Sequence, residues 1–316
     1  MPTPTENLSL FAEPDDSLRT RLRERLSALA KRQVFIGTSS WKYEGWMDQI
    51  YSRDRYLVRG KFSKQRFEAE CLSEYAQTFP IVCGDFSFYQ FPSAEFWRRL
   101  FRSAPPALRY AFKVPEEVTV KMYPVHSRYG DRAGGINEQF LNAELFRAMF
   151  LDLLEPYREQ VAVLIFEFGR TQQTLTEFLS ELDPFVASLP AGYRYAVEIR
   201  NQEFLAQEYF SCLRQHGVAH VFNAWTRMPE IAEQMQLPDV YTADFTVTRA
   251  LLRKGRPYEQ AVSQFTPYRE IRDPNPGTRQ ALRDLIGRAA RLPQPSYIFV
   301  NNRLEGNAPG TIEAIT

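Results

Sequence analysis

Lys113 within 110–114, Glu167 within 161–168 and Glu198 within 193–199 stand as charges inside largely apolar runs of this chain. A charge in such a run is costly to bury unless it is paired or hydrogen-bonded. Asp85, Arg200 and Arg249 stand at or near the ends of similar runs. If these residues converge, they form a charge network that can do acid–base work. Glu198 then serves as general acid or base, with Asp85 beside it. Lys113 stabilises developing negative charge or carries a second proton. Arg200 and Arg249 clamp an anionic group with their planar forks. Trp41 and Tyr89 offer an aromatic wall, and the amides of Asn201, Asn223, Asn301 and Asn302 orient a ligand. The competing structural account is an ion-pair layer that merely plugs the fold.

Other chemistries find little support. His216 and His220 are four apart, but Gly217 between them ends a helix, so they fall on different elements. No metal site is expected from the histidines and no cofactor is predicted. A carboxylate-bound divalent cation on Asp85, Glu167 or Glu198 stays open. There is no Gly-x-Ser-x-Gly, no Walker loop and no Gly-x-Gly-x-x-Gly after the first strand. The three cysteines, Cys71, Cys83 and Cys212, are widely spaced and suit free thiols in a reducing cytoplasm. Lys+Arg is 39 against 38 Asp+Glu, which excludes a chain-wide basic field for nucleic acid. Most of those cations are arginines, so a local basic patch is still available. No apolar run is long enough to cross a membrane, and the first sixteen residues show no apolar signal core.

The elements that must position these residues repeat. Eight short apolar runs, at 34–37, 81–86, 110–114, 161–168, 193–199, 219–222, 240–247 and 297–300, read as strands buried on both faces. Helical stretches separate them, at 63–78, 138–157, 174–188, 202–216, 229–236 and 278–292. Eight strand–helix units predict an α/β fold, a single TIM-like (β/α)8 barrel of parallel strands, with a doubly wound sheet as runner-up. The 316 residues divide into a flexible tail over 1–16, an N-terminal helix over 17–33 with a solvated outer face, and the barrel over 34–316. Two long connections, 116–137 and 252–273, follow strands and belong at the C-terminal mouth, where barrel enzymes keep their chemistry. Strand seven is expected to bring Asp244 and then Arg249 to that mouth.

At these strand ends the chain resembles domain-of-unknown-function family 72. The resemblance rests on Ile36-Gly37-Thr38-Ser39-Ser40-Trp41 with Tyr43, Trp46 and Tyr51; on Phe88-Tyr89 before Pro92-Ser93; and on Phe112-Lys113-Val114-Pro115 with Thr119. It continues through Ala196-Val197-Glu198-Ile199-Arg200-Asn201 and Asn301-Asn302 with Ala308, and spans about 34–312. It implies a TIM-barrel-like fold and no established activity. The chain departs from the family pattern at Cys83 and Asp85 (usually Glu and Asn), at Val120 (commonly His) and at Asn223 (often Asp). The leading expectation is an enzyme of hydrolase or lyase type. It would act on a small anionic or polyhydroxylated molecule at the mouth. The alternatives are a nucleic-acid-binding phosphodiesterase-like protein and a non-catalytic ligand-sensing or scaffold barrel.

Overall fold

The computed structural model describes residues 17–316; the tail expected over 1–16 lies outside the described residues. Eight parallel strands close into a barrel: β1 Val34–Thr38, β2 Ile81–Gly84, β3 Arg109–Lys113, β4 Val161–Phe168, β5 Tyr195–Ile199, β6 Ala219–Ala224, β7 Thr246–Ala250 and β8 Ser296–Val300. Each strand pairs with its sequence neighbours, and β8 closes on β1 through Val34–Ser296 to Thr38–Val300. This is the barrel the strand–helix alternation predicts, and it rules out the open sheet.

Two cores follow from the alternation of side chains along each strand. One set faces the helices and forms the large outer core with Ile36, Val82, Phe112, Leu164, Phe166, Val197, Phe222 and Ile298. The other set fills the barrel: Phe35, Ile81, Cys83, Ala111, Val163, Ile165, Ala196, Val221, Val247, Tyr297 and Phe299. Counting on by two from this inner set reaches Asp85, Lys113, Glu167, Glu198, Asn223, Arg249 and Asn301. The barrel interior is thus apolar below and charged at the top. That change of character within single strands is what places charge at the C-terminal end.

The N-terminal helix, Leu18–Ala30, is capped by Ser17, whose hydroxyl accepts from the Thr20 amide. Leu22 and Leu26 are completely buried, and Arg21 meets Glu313 of the last helix, Ala308–Ile315, at 2.7 Å. One face of the helix therefore joins the core while its arginines stay outward. Gly306, at φ +114°, turns the chain into that last helix. A Cβ there would stand 2.6 Å from the Glu270 carbonyl oxygen, so only glycine fits.

Three expectations need correction. Strand seven begins at Thr246, not at 240, because its register is set by Val221–Val247 on one side and Thr246–Ser296 on the other. Asp244 therefore precedes the strand. It lines a cleft of about 210 Å³ at the N-terminal end with Gln294 and Pro295, far from the mouth. The helix expected over 138–157 begins only at Ala143. Leu141 has a positive φ of 54°, and Asn142 caps the new start by accepting from the Leu145 amide at 2.9 Å. The two long connections carry structure of their own, with helical turns at Glu116–Thr119 and Ser127–Arg132 and a helix at Tyr258–Phe265. No helix among the described residues is long and apolar enough to cross a membrane.

His216 and His220 do lie on different elements, the first bonded to Asp183 at 2.7 Å and the second inside β6. Burial pushes the His220 imidazole down to about 3. Its neighbours are aromatic, and Tyr209 Oη sits 3.2 Å from Nδ1. A histidine held neutral in the fold but free to charge in the unfolded chain destabilises the fold in acid. The effect starts as pH falls below the ordinary value of 6.5 and grows down to about 3. Stability of the wild type should drop about 1.4 kcal/mol per pH unit faster than that of His220→Gln over this window. Urea unfolding at pH 7, 5.5 and 4.5 measures it; equal slopes for the two proteins contradict the assignment.

Candidate functional site

Glu167 and Glu198 occupy paired positions on the adjacent strands β4 and β5, both facing into the barrel. Two carboxylates at one level repel, so cations must stand between them. Arg249 of β7 reaches across and supplies the first. Its Nη1 donates to Glu167 Oε2 at 2.5 Å and to Glu198 Oε2, and its Nη2 donates to Asp85 Oδ1 at 3.0 Å. Arg200 supplies the second, with Nη2 at 2.7 Å from Glu198 Oε1 and 3.2 Å from Glu167 Oε2. Lys113 Nζ completes the set 3.1 Å from Glu167 Oε2. Three cations thus neutralise three carboxylates, contributed by the ends of β2, β3, β4, β5 and β7.

Aromatic faces and amides hold the cations in place. Lys113 Nζ sits 3.6 Å from the centroid of Phe88, and the Arg200 guanidinium lies 4.2 Å from that of Trp225. Asn223 accepts from Arg200 Nη1 at 3.2 Å and donates to the Ile199 carbonyl. Gln234, from the short helix Ile231–Gln234, bonds the Asn223 backbone on both sides.

Exposure separates the members. Glu198 and Arg249 are sealed, whereas the side chains of Glu167 and Asp85 keep 15 % and 30 % of their surface open. Burial alone would raise the Glu167 carboxyl, but Lys113, Arg200 and Arg249 outweigh it and hold it below the ordinary range. Burial likewise opposes the charge on Arg249, yet Glu198, Asp85 and Glu167 keep it firmly cationic. One layer deeper, burial pushes the Cys83 thiol up to about 12, so it stays neutral. The resemblance puts a Glu at that position. Here the negative charge stands at Asp85 instead, nearer the opening. Asp85 also walls a cleft of about 490 Å³ beside the mouth, with Trp41, Lys42, Phe86, Phe96 and Arg99.

Of the sequence-predicted residues, Asp85, Lys113, Glu167, Glu198, Arg200, Asn223 and Arg249 come together. Tyr89 stands exposed at the rim with the Arg128 guanidinium over its ring. The others fall outside the cluster. Trp41 is buried edge-on to Phe86. Asn201 ties down the backbone of Thr171 in the loop after β4. Asn302 accepts from Trp46 Nε1 and the Ala308 amide, and Asn301 accepts from the Arg303 amide. Their oxygens are spent on loop geometry, while Nδ2 of Asn302 is buried without an acceptor among the described residues. Asp85, Glu167 and Glu198 meet only through guanidinium and ammonium groups. Among the described residues no group of three His, Cys, Asp or Glu side chains is placed to hold a metal ion. Phe88 enters the sequence reading only through the family resemblance, and its place against Lys113 is a feature of the fold. Arg303 is not among the residues expected at the site; it lies beyond the strand, at the even spacing from Tyr297, Phe299 and Asn301 that could have found it.

Removing one partner from a buried network leaves its neighbours uncompensated. Arg249→Met should therefore cost about 3–5 kcal/mol of stability by urea unfolding at pH 7. Glu167 adds a pH signature. Its folded value is depressed, so its stabilisation is complete above its ordinary value of 4.5 and is lost as pH falls further. The deficit of Arg249→Met should thus shrink in acid. A loss below about 1 kcal/mol at pH 7 would contradict the network.

Comparison with known proteins agrees with this architecture. A family model described as "Protein of unknown function DUF72" matches residues 35–316. A solved DUF72 family protein from Thermotoga maritima is 21 % identical, with a TM-score of 0.58, over 90 % of this chain and 97 % of the other. Two structures of a DUF72 family protein from Enterococcus faecalis share 16 % and 15 % identity, each with a TM-score of 0.57. They cover 89 % and 90 % of this chain and 94 % and 96 % of theirs. At such identities the likeness shows the fold alone. No curated protein matches the chain. The family match runs from the first barrel strand to the last helix and takes in every strand that carries the charge network, so the chain belongs to DUF72, a family of unknown function.

Proposed function

We propose that the barrel mouth is an active site that carries out acid–base chemistry on a small polyhydroxylated molecule. One observation carries this reading. Six compensating charges from five strand ends converge at the mouth, and two of them, Asp85 and Lys113, combine opposite charge with spare bonding capacity. Asp85 touches Arg249 through Oδ1, and among the described residues nothing bonds its other oxygen. Lys113 has three donors, and Glu167 takes one direction. In hydrolysis Asp85 takes a proton from the water whose oxygen bonds to the substrate carbon, and Lys113 gives one to the oxygen that leaves as its bond to that carbon breaks; in a lyase reaction Asp85 takes the proton from the neighbouring carbon instead, and a double bond forms as the oxygen leaves. Glu198, sealed between two arginines, acts as a positioning residue: it fixes Arg249 and Arg200 and thereby the geometry of Asp85 and Glu167. A compensated cluster of this kind suits hydroxyl groups, which can donate to carboxylates and accept from guanidinium at once. The proposed chemistry uses side chains alone. Free Cys71, Cys83 and Cys212 support a reducing, cytoplasmic setting.

A non-catalytic, ligand-sensing barrel is the second reading. It is favoured by the fact that every carboxylate of the cluster already has a cationic partner.

Incubation with a panel of sugars, sugar acids and sugar phosphates, followed by NMR, tests the choice. Conversion of one class is expected, with Asp85→Asn and Lys113→Met each slowing turnover by roughly 10²–10⁴-fold. Saturable binding without conversion selects the sensing reading. Turnover unaffected by either substitution contradicts the assignment of both residues.

A further inference from the structure

Six basic side chains on the C-terminal face, Lys113, Arg128, Arg200, Arg249, Arg253 and Arg256, each have a carboxylate in ion-pair contact. Arg303 does not. Among the described residues no carboxylate reaches it, and its Nε is enclosed without a hydrogen-bond acceptor. The side chain is nevertheless well placed. Its guanidinium lies over the ring of Tyr258 with 4.6 Å to the centroid, and its own amide is pinned by Asn301 Oδ1 at 3.0 Å. The preceding residue, Asn302, is anchored by Trp46 and Ala308. Arg303 therefore springs from a fixed root and rests on an aromatic platform, a half-buried cation with its charge uncompensated.

Its position relative to the cluster is given by the fold: it stands three residues past the end of β8 at Val300, and only β1 lies between β8 and β2, whose end carries Asp85. Burial raises the Tyr43 hydroxyl to about 12; the positive charge of Arg303 pulls it down and the negative charge of Asp85 pushes it up. Both groups therefore stand on the C-terminal face of the barrel, and Tyr43 feels the charge of each. A planar fork fixed at its root and lacking an anion is the arrangement that recognises a carboxylate or phosphate.

We propose that Arg303 binds an oxyanion group, a carboxylate or a phosphate, on the same ligand whose hydroxylated part meets Asp85 and Lys113. This deepens the active-site reading and rests on it. It divides the ligand in two: an anionic end on the Arg303–Tyr258 side and a reacting end at the compensated cluster. The long connection after β7 takes part directly, since Tyr258 opens its helix.

Calorimetric titration of the full chain with inorganic phosphate and with acetate, at ionic strength matched with sodium chloride, tests the proposal. The wild type should bind at least one of them saturably. Arg303→Met should weaken that binding roughly 10- to 100-fold. Arg303→Lys should fall between, because it keeps the charge and loses the fork. Tyr258→Ala, at an exposed position, should weaken it a few-fold and serves should the Arg303 variants fail to fold. Absence of saturable binding, or equal affinity in Arg303→Met, overturns the proposal. Neutral sugars titrated in parallel separate the two readings. If they bind while the anions do not, the mouth stands and the role of Arg303 falls. If anion binding depends on Arg303 but no hydroxylated compound binds or reacts, the oxyanion site stands alone and the active-site reading falls.

Discussion

The guanidinium of Arg249 is the point on which the upper barrel turns. It is almost fully buried, and it meets carboxylates from three other strand ends, Asp85, Glu167 and Glu198, across the barrel. Without it Glu167 and Glu198 would lose the cation they share, and without them it would be left buried and uncompensated. The interaction is therefore mutual. It converts four costly burials into one neutral group once Arg200 and Lys113 balance the remaining charge. Because the partners lie 51, 82 and 164 residues away in sequence, the network also spans most of the strand order.

A barrel interior is normally packed in layers of branched apolar side chains. This one keeps that pattern up to Val247, Ile165 and Ala196, then switches to charge two residues further along the same strands. The switch makes a rigid polar floor above a dry core. Rigid charges are what a reacting group needs, since they require no reorganisation at the moment of reaction. The floor has a graded exposure, sealed at Glu198 and open at Asp85, which separates groups that hold geometry from groups that can touch a ligand. Cys83 is neutral and sealed below this floor, and the negative charge of Asp85, two residues on, sits where solvent reaches.

Much of this was legible from residue types. Continuous apolar runs named seven of the eight strands closely, and charges within them named the cluster, because such charges are tolerated only when partnered. The failures have physical causes. In 240–247 the apolar residues Val240 and Tyr241 mimic a strand, but they pack outside the barrel on the approach to β7, which put Asp244 at the wrong end. The helix over 138–157 looked continuous by periodicity, which does not register the left-handed turn at Leu141. Asn201, Asn301 and Asn302 share a type with ligand-orienting amides, and only their bonds show that they hold loops. Arg303 is marked in sequence only by its even spacing from Asn301; its meaning lies in the anionic partner it lacks among the described residues, and that is visible only once its surroundings are known.

The central claim is that the charged floor of the mouth holds a ligand rather than simply closing the barrel. A crystal structure of the protein soaked with a sugar phosphate measures this most directly. The account predicts ligand hydroxyl oxygens within hydrogen-bond distance of Asp85 and Lys113, with the phosphate on Arg303. A mouth containing only its own paired charges, with the ligand absent or seated elsewhere, such as the cleft between Trp41 and Arg99, would contradict it.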